Sequence, residues 1–190
     1  MSDLKDKSIK EVIDREGGEK YTDRSADRGG PTRFGVTQAK AKENGYTGDM
    51  RNFTYAQAYA IYAKDFWDKM RCSEIEVLSP ALAVWMFDYG VNSGTGNAAK
   101  TLQGLLNVLN NRQKLYKDIP EGGLVGTMTM DTLKAFAKVR GAEGVKYLSY
   151  AFNSLRVSKL YNIAHEDESQ EENFYGWLVR VVTITKQVGI

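Results

Sequence analysis

The chain has 190 residues, 42% of them hydrophobic and 11% aromatic, which excludes a disordered polymer and allows one compact domain with room for a small C-terminal subdomain. A formal charge of +2 and a pI near 8.5 suit contact with an anionic polymer such as cell wall and leave no electrostatic footprint for nucleic acid. The single cysteine, Cys72, excludes an internal disulfide and reads as a small, partly buried thiol. The single histidine, His165, stands in a charged run and reads as a surface residue, so neither a Cys/His catalytic pair nor a metal cluster is expected, and no cofactor. No apolar run approaches the ~18 residues of a membrane span. The polar N-terminus lacks the apolar segment of a signal peptide, so none is expected.

Ile9, Val12 and Ile13 fall at i, i+3 and i+4 and predict a first helix. The next position on that face is Glu16, which carries a carboxylate onto the side expected to turn inward, and Gly17 and Gly18 then end the helix. Burial would disfavour the charged form, and an acid that holds its proton near neutrality is what general acid catalysis requires. The competing reading, an exposed residue at a frayed helix end, is the usual fate of a glutamate. Two neighbours weigh against it: Asp27, a second carboxylate in a loop punctuated by Gly29, Gly30, Pro31 and Gly35, and the hydroxyl of Thr32. Thr32 to Val36 reads as a short strand interrupted by a glycine. An acid on a helix end, a carboxylate in a loop and a hydroxyl at a strand start are the groups that glycoside hydrolysis uses.

Residues 37–45 predict a short helix capped by Thr37 and stopped by Gly45, followed by a polar loop over 44–52. Thr54 and Gln57 form a capping-box pattern, behind which Tyr55, Ala58, Tyr59, Tyr62 and Phe66 share one helical face. That stripe reads as core. Trp67 at its end has two readings, a core residue or a flat ring lining a sugar groove. Ser79-Pro80 opens a helix that is apolar nearly all round from Ala81 to Val91, as a buried central helix must be. Asp88, Tyr89 and Asn92 are polar groups on it, and each needs a partner. Asp88 reads as paired with backbone or a basic residue. Asn92 reads either as a cap or as a cleft residue opposite Glu16, and Tyr89 has the same cleft alternative. Ala98, Thr101, Leu102, Leu105, Leu106 and Leu109 predict another amphipathic helix, with a polar loop over 107–118. A glycine-rich turn then leads to a helix starting at Thr129, and a long helix follows over Ala142–Ile163. An acidic linker over 166–173 precedes a closing helix (Phe174, Trp177, Leu178, Val181, Val182), with Arg180 and Lys186 off its apolar face.

Glu16-Gly-Gly, Tyr21 and Ala26-Asp27-x-Gly-Gly-x-Thr32-x-Phe-Gly-Val-Thr37-Gln38 resemble the signature of glycoside hydrolase family 108, phage and bacterial N-acetylmuramidases. Tyr62-x-x-x-Phe66-Trp67, Phe87-Asp-x-x-Val-Asn92-Ser-Gly94 and the stretch Gly122–Leu133 extend the resemblance over nearly the whole chain. The family has Tyr directly after Glu-Gly-Gly, whereas Glu19-Lys20 intervene before Tyr21 here, so this loop is longer by two residues. The resemblance implies a mainly α (α+β, lysozyme-like) fold: a helical bundle around a buried central helix, with a small β-hairpin or loop lobe near residues 20–37. It implies a catalytic region over 1–110. A C-terminal helical region over 111–190, similar to a small peptidoglycan-binding subdomain, would pack as one unit with the first.

The same resemblance implies cleavage of the β-1,4 bond between N-acetylmuramic acid and N-acetylglucosamine in peptidoglycan. Glu16 would protonate the glycosidic oxygen, Asp27 would activate a water or stabilise the oxocarbenium-like transition state, and Thr32 would hold the water. Inversion and retention both stay open, because carboxyl separation decides between them. Tyr21, Tyr89, Asn92 and Trp67 would contact the sugar. The implied setting is an endolysin, a monomer without a membrane span or nucleic-acid partner. It would be made in the host cytoplasm and reach the wall in the periplasm with the help of a holin. Two alternatives compete: a lytic transglycosylase on the same bond, with one Glu and an anhydro-sugar product, and a non-catalytic wall-binding or virion module.

Overall fold

The computed structural model describes residues 3–23 and 30–188, and the chain divides into two compact units, Met1–Asp68 and Lys69–Ile190. The first unit holds α1 (Asp3–Arg15), a two-stranded hairpin of β1 (Thr32–Arg33) and β2 (Val36–Thr37), α2 (Gln38–Glu43) and α3 (Tyr55–Tyr62), which runs into a π-helical turn over Ala63–Asp68. Ile9, Val12 and Ile13 are buried on α1, as their spacing predicts, and α1 packs against α3 in a unit whose other buried residues include Phe34, Val36, Met50, Phe53, Ile61 and Tyr62. The predicted caps are in place. Thr37 accepts from the Lys40 amide at 3.2 Å. Thr54 accepts from the Gln57 amide at 3.3 Å while Gln57 Oε1 accepts from the Thr54 amide at 2.8 Å, a reciprocal capping box. Between them, the stretch expected as polar loop contains a short 3-10 turn over Met50–Asn52, capped by Asp49. The aromatic stripe of α3 divides by depth: Tyr62 is buried, Tyr59 reaches α1 by donating its hydroxyl to Asp6, and Tyr55 is exposed.

The second unit is built around α5 (Pro80–Ser93), in which every residue from Ala81 to Gly90 is buried. Ser79 caps it, accepting from the Leu82 amide at 3.1 Å, and Pro80 occupies the first turn. Around α5 lie α4 (Cys72–Leu78), α6 (Thr95–Leu109), α7 (Thr127–Glu166) and α8 (Glu171–Gln187). The two helices predicted on either side of residue 141 join into α7, with a break at Gly141, whose φ of +67° a glycine adopts without a Cβ penalty. The acidic stretch expected to be a linker is mostly helical. Asp167 caps a 3-10 turn over Glu168–Gln170 that leads into α8, with Glu171 and Glu172 in the first turn, where negative charge favours a helix. Arg180 also departs from expectation: it turns inward and forks onto Asp88, donating from Nη2 at 2.8 Å and from Nε at 3.0 Å to Oδ1. Arg156 donates to the other oxygen of the same carboxylate. Asp88 therefore has basic partners, one of the two readings the sequence left open, and the guanidiniums offset the cost of burying its charge. Cys72 is a buried thiol, and among the described residues no helix is long and apolar enough to cross a membrane.

Candidate active site

Glu16 is the first residue beyond α1. Its amide still donates to Val12 O at 2.9 Å, and the Gly18 amide donates back to Ile13 O at 3.0 Å, the six-to-one bond of a Schellman stop. Gly17 and Gly18 both take positive φ, +112° and +55°, which is why the glycine pair follows the acid. The stop redirects the chain, so Glu16 does not continue the buried face of Ile9 and Val12. It is exposed, and the expected burial is not found. The reason lies in the backbone: helical periodicity holds only to Arg15, and one residue later the chain has left the helix.

What fixes Glu16 is the hairpin. The stretch expected as one strand with a glycine interruption is two antiparallel strands, with Arg33 opposite Val36 and a two-residue turn of Phe34-Gly35. Both turn residues have positive φ, +53° and +72°, as a type I′ turn requires. Phenylalanine is unusual there, and its setting explains it. The ring is buried in the first unit's core, the Phe34 amide donates to Gly18 O at 3.0 Å, and the Tyr62 hydroxyl donates to Phe34 O at 3.3 Å. The turn is thus bonded to the same glycine pair that ends α1. Gly35 lies against the acid itself: a Cβ built there would meet Glu16 Cβ at 2.5 Å and the Tyr62 hydroxyl at 2.5 Å. Only a glycine lets the hairpin approach the stem of Glu16 this closely.

Thr32 sits on β1, half-buried, and exchanges two backbone hydrogen bonds with Thr22 at 2.9 and 2.8 Å, which adds a short third rung beside the hairpin. Its hydroxyl donates to Gly30 O at 3.2 Å. Tyr21, next to Thr22, is half-buried, donates its hydroxyl to Asp23 at 3.2 Å and carries the Arg51 guanidinium over its ring at 5.0 Å. Desolvation and the bond to Asp23 push its phenol pKa up. Arg33 donates to the Arg51 carbonyl and lies over the Phe34 ring at 5.1 Å. The structure therefore gathers Glu16, Tyr21 and Thr32 around one hairpin and adds two arginines that the sequence reading did not single out. The signal for them was weak, since Arg33 and Arg51 are far apart in sequence and carry no motif. Asp27 lies outside the described residues.

The remaining sugar-contact expectations fare differently. Trp67 is fully buried in the π-helical turn, so its ring is core and offers no face to a sugar. Tyr89 is buried within the second unit, its ring edge-on to Phe152 at 5.9 Å, and it likewise lines no open cleft. Asn92, near the end of α5, is exposed and donates its amide to Asp88 O at 2.6 Å, a helix-end bond in keeping with the capping alternative. Among the described residues no cluster of His, Cys, Asp and Glu could hold a metal ion.

Residues 9–94 match the family model described as glycosyl hydrolase 108, and residues 97–182 match a predicted peptidoglycan domain. The fold is similar to that in a solved structure of SagA from Brucella abortus, with a TM-score of 0.69 and 20% sequence identity over 97% of this chain and 92% of that one. No curated protein matches the chain.

Proposed function

From the match of residues 9–94 to the glycosyl hydrolase 108 family, we propose that the lysozyme-type activity of this region cleaves the β-1,4 bond between N-acetylmuramic acid and N-acetylglucosamine, with Glu16 as the general acid. The observation that carries this reading is the seat of Glu16: a carboxylate at a glycine-stopped helix end, its stem against Gly35 of a hairpin bonded to that same stop. Such a seat fixes a side chain in position while leaving its carboxylate accessible to a polymer. The glycosidic oxygen takes its proton from Glu16, and charge developing on the sugar ring is met by a second carboxylate, assigned to Asp27 on family resemblance. Thr32, on the strand beside the turn, would hold the attacking water, a role assigned on family resemblance. Of the four expected sugar contacts, Tyr21 is retained, since its half-exposed ring lies in the same lobe.

The peptidoglycan domain over 97–182 supports the wall as substrate and a division of labour in which the N-terminal region cuts and the C-terminal region grips. The host-lysis role, acting as a monomer on the periplasmic wall after a holin has opened the membrane, extends the reading by family resemblance. The test is Glu16→Gln on purified peptidoglycan. Reducing-end release should fall by at least about a hundredfold, the scale of a lost general acid, with an unchanged thermal transition. Near-normal release would remove Glu16 from the reaction, and anhydro-sugar products by mass would turn the reading to a lytic transglycosylase.

A further inference from the structure

The Asp88 cluster opens onto a cavity of about 230 Å³ in the second unit, between the end of α5, the second half of α7 and α8, lined by Asn92, Arg156, Leu160, Ile163, Trp177 and Arg180. Asp88 is saturated: Arg180 forks onto it and Arg156 Nη2 takes its other oxygen. Two guanidiniums against one carboxylate leave the cluster with one positive charge in excess. Arg156 is 2% exposed, lines the cavity, and has its Nη1 buried without a hydrogen-bond partner among the described residues. Among the described residues no acidic side chain lines the cavity. A buried guanidinium nitrogen with no acceptor is costly, and a planar anion is the ligand that Arg matches best. The rest of the wall mixes the uncharged polar groups of Asn92, Ser93 and Gln170 with an apolar face of Leu160, Ile163 and the half-buried Trp177.

We propose that this cavity is a carboxylate-binding subsite for the C-terminal D-alanine of a peptidoglycan stem peptide. The carboxylate would meet the guanidiniums of Arg156 and Arg180 that line the cavity, and the methyl group would lie against Leu160, Ile163 and Trp177. The inference rests on the wall-hydrolase reading and gives the gripping region a ligand chemistry.

The test is calorimetric titration of the full chain with three probes: diacetyl-lysyl-D-alanyl-D-alanine, its C-terminal amide, and sodium acetate. The acid should bind saturably, the amide at least about tenfold more weakly for want of the charge-assisted bond, and acetate more weakly than the tripeptide for want of the apolar contact. Arg156→Gln should abolish binding of the acid. Because Arg156 is buried and its loss threatens the fold, Ile163→Phe, at a partly exposed position on the cavity wall, serves as the second variant. It should weaken the acid at least about tenfold with an unchanged thermal transition. Equal affinity for acid and amide, no saturable binding, or acetate binding as tightly as the tripeptide would each overturn the proposal. Glu16→Gln should leave tripeptide binding intact, so failure of the cleavage reading and failure of this one are told apart.

Discussion

Gly35→Ala tests whether the hairpin positions the acid. Two costs are expected. The first is conformational: φ at Gly35 is +72°, and an L-residue there is strained by about 1 kcal/mol. The second is steric: the new Cβ would lie 2.5 Å from Glu16 Cβ and 2.5 Å from the Tyr62 hydroxyl, far inside contact distance, and overpacking of this kind costs about 1–3 kcal/mol. Gly45→Ala separates the two, because Gly45 has a φ of +86° in the same unit but nothing within 4 Å of its built Cβ. Gly45→Ala should therefore lose only the strain, about 1 kcal/mol, with cleavage unchanged. Gly35→Ala should lose about 2–4 kcal/mol in chemical denaturation. Its reducing-end release from purified wall should drop even at temperatures where it is fully folded, because the bond to Phe34 and the seat of Glu16 shift together. If the two variants were equally stable and equally active, the close approach would not matter and the positioning argument would be wrong.

Two further predictions concern residues removed from the sugar-contact set or newly paired. Trp67→Ala should cost about 3–5 kcal/mol in chemical denaturation, as for a large core side chain, whereas a stable variant with weakened wall binding would restore Trp67 to a groove. Asp88→Asn leaves Arg156 and Arg180 without their shared carboxylate and should cost about 3–5 kcal/mol, and a loss below about 1 kcal/mol would mean that the pairing is not what holds α7 and α8 to α5.

Local rules read directly from residues carried much of the architecture. The caps at Thr37 and Thr54, the helix start at Ser79-Pro80, the glycine stop after Glu16 and the all-round burial of Ala81–Gly90 depend on a few neighbours each, and the sequence spells those neighbours out. Long-range events were not legible. Periodicity extended the buried face of α1 one turn too far, because it has no term for the backbone leaving the helix at Glu16. The Phe34-Gly35 turn lacks the Asn-Gly or Asp-Gly signal, since what pays for phenylalanine at positive φ is tertiary: a buried ring and two hydrogen bonds from distant elements. Arg180 reads only as lying off the apolar face of its helix, because its partner lies 92 positions away. Trp67 and Tyr89 show the same limit, for an aromatic at the edge of an apolar stripe reads alike as core or as groove until its burial is seen.

The exposure of Glu16 has a consequence for the substrate. A general acid acts while it holds its proton, and exclusion of water favours the neutral carboxyl. In the free protein the side chain is exposed, so on the proposed reading of Glu16 as the acid the wall strand would supply that exclusion by lying over the hairpin and the helix end. A strand long enough to cover the lobe on both sides of the scissile bond would dry the site, whereas a short oligosaccharide would leave one side open to solvent. Turnover per bond on purified glycan fragments should therefore rise steeply with fragment length and then level off once the lobe is covered, with kcat, not only KM, changing across the series. A tighter KM at constant kcat would mean that the extra sugars add only binding. In that case the substrate would not be what dries the site, and Asp27, between Tyr21 and Thr32 in the sequence, would be the next residue to test.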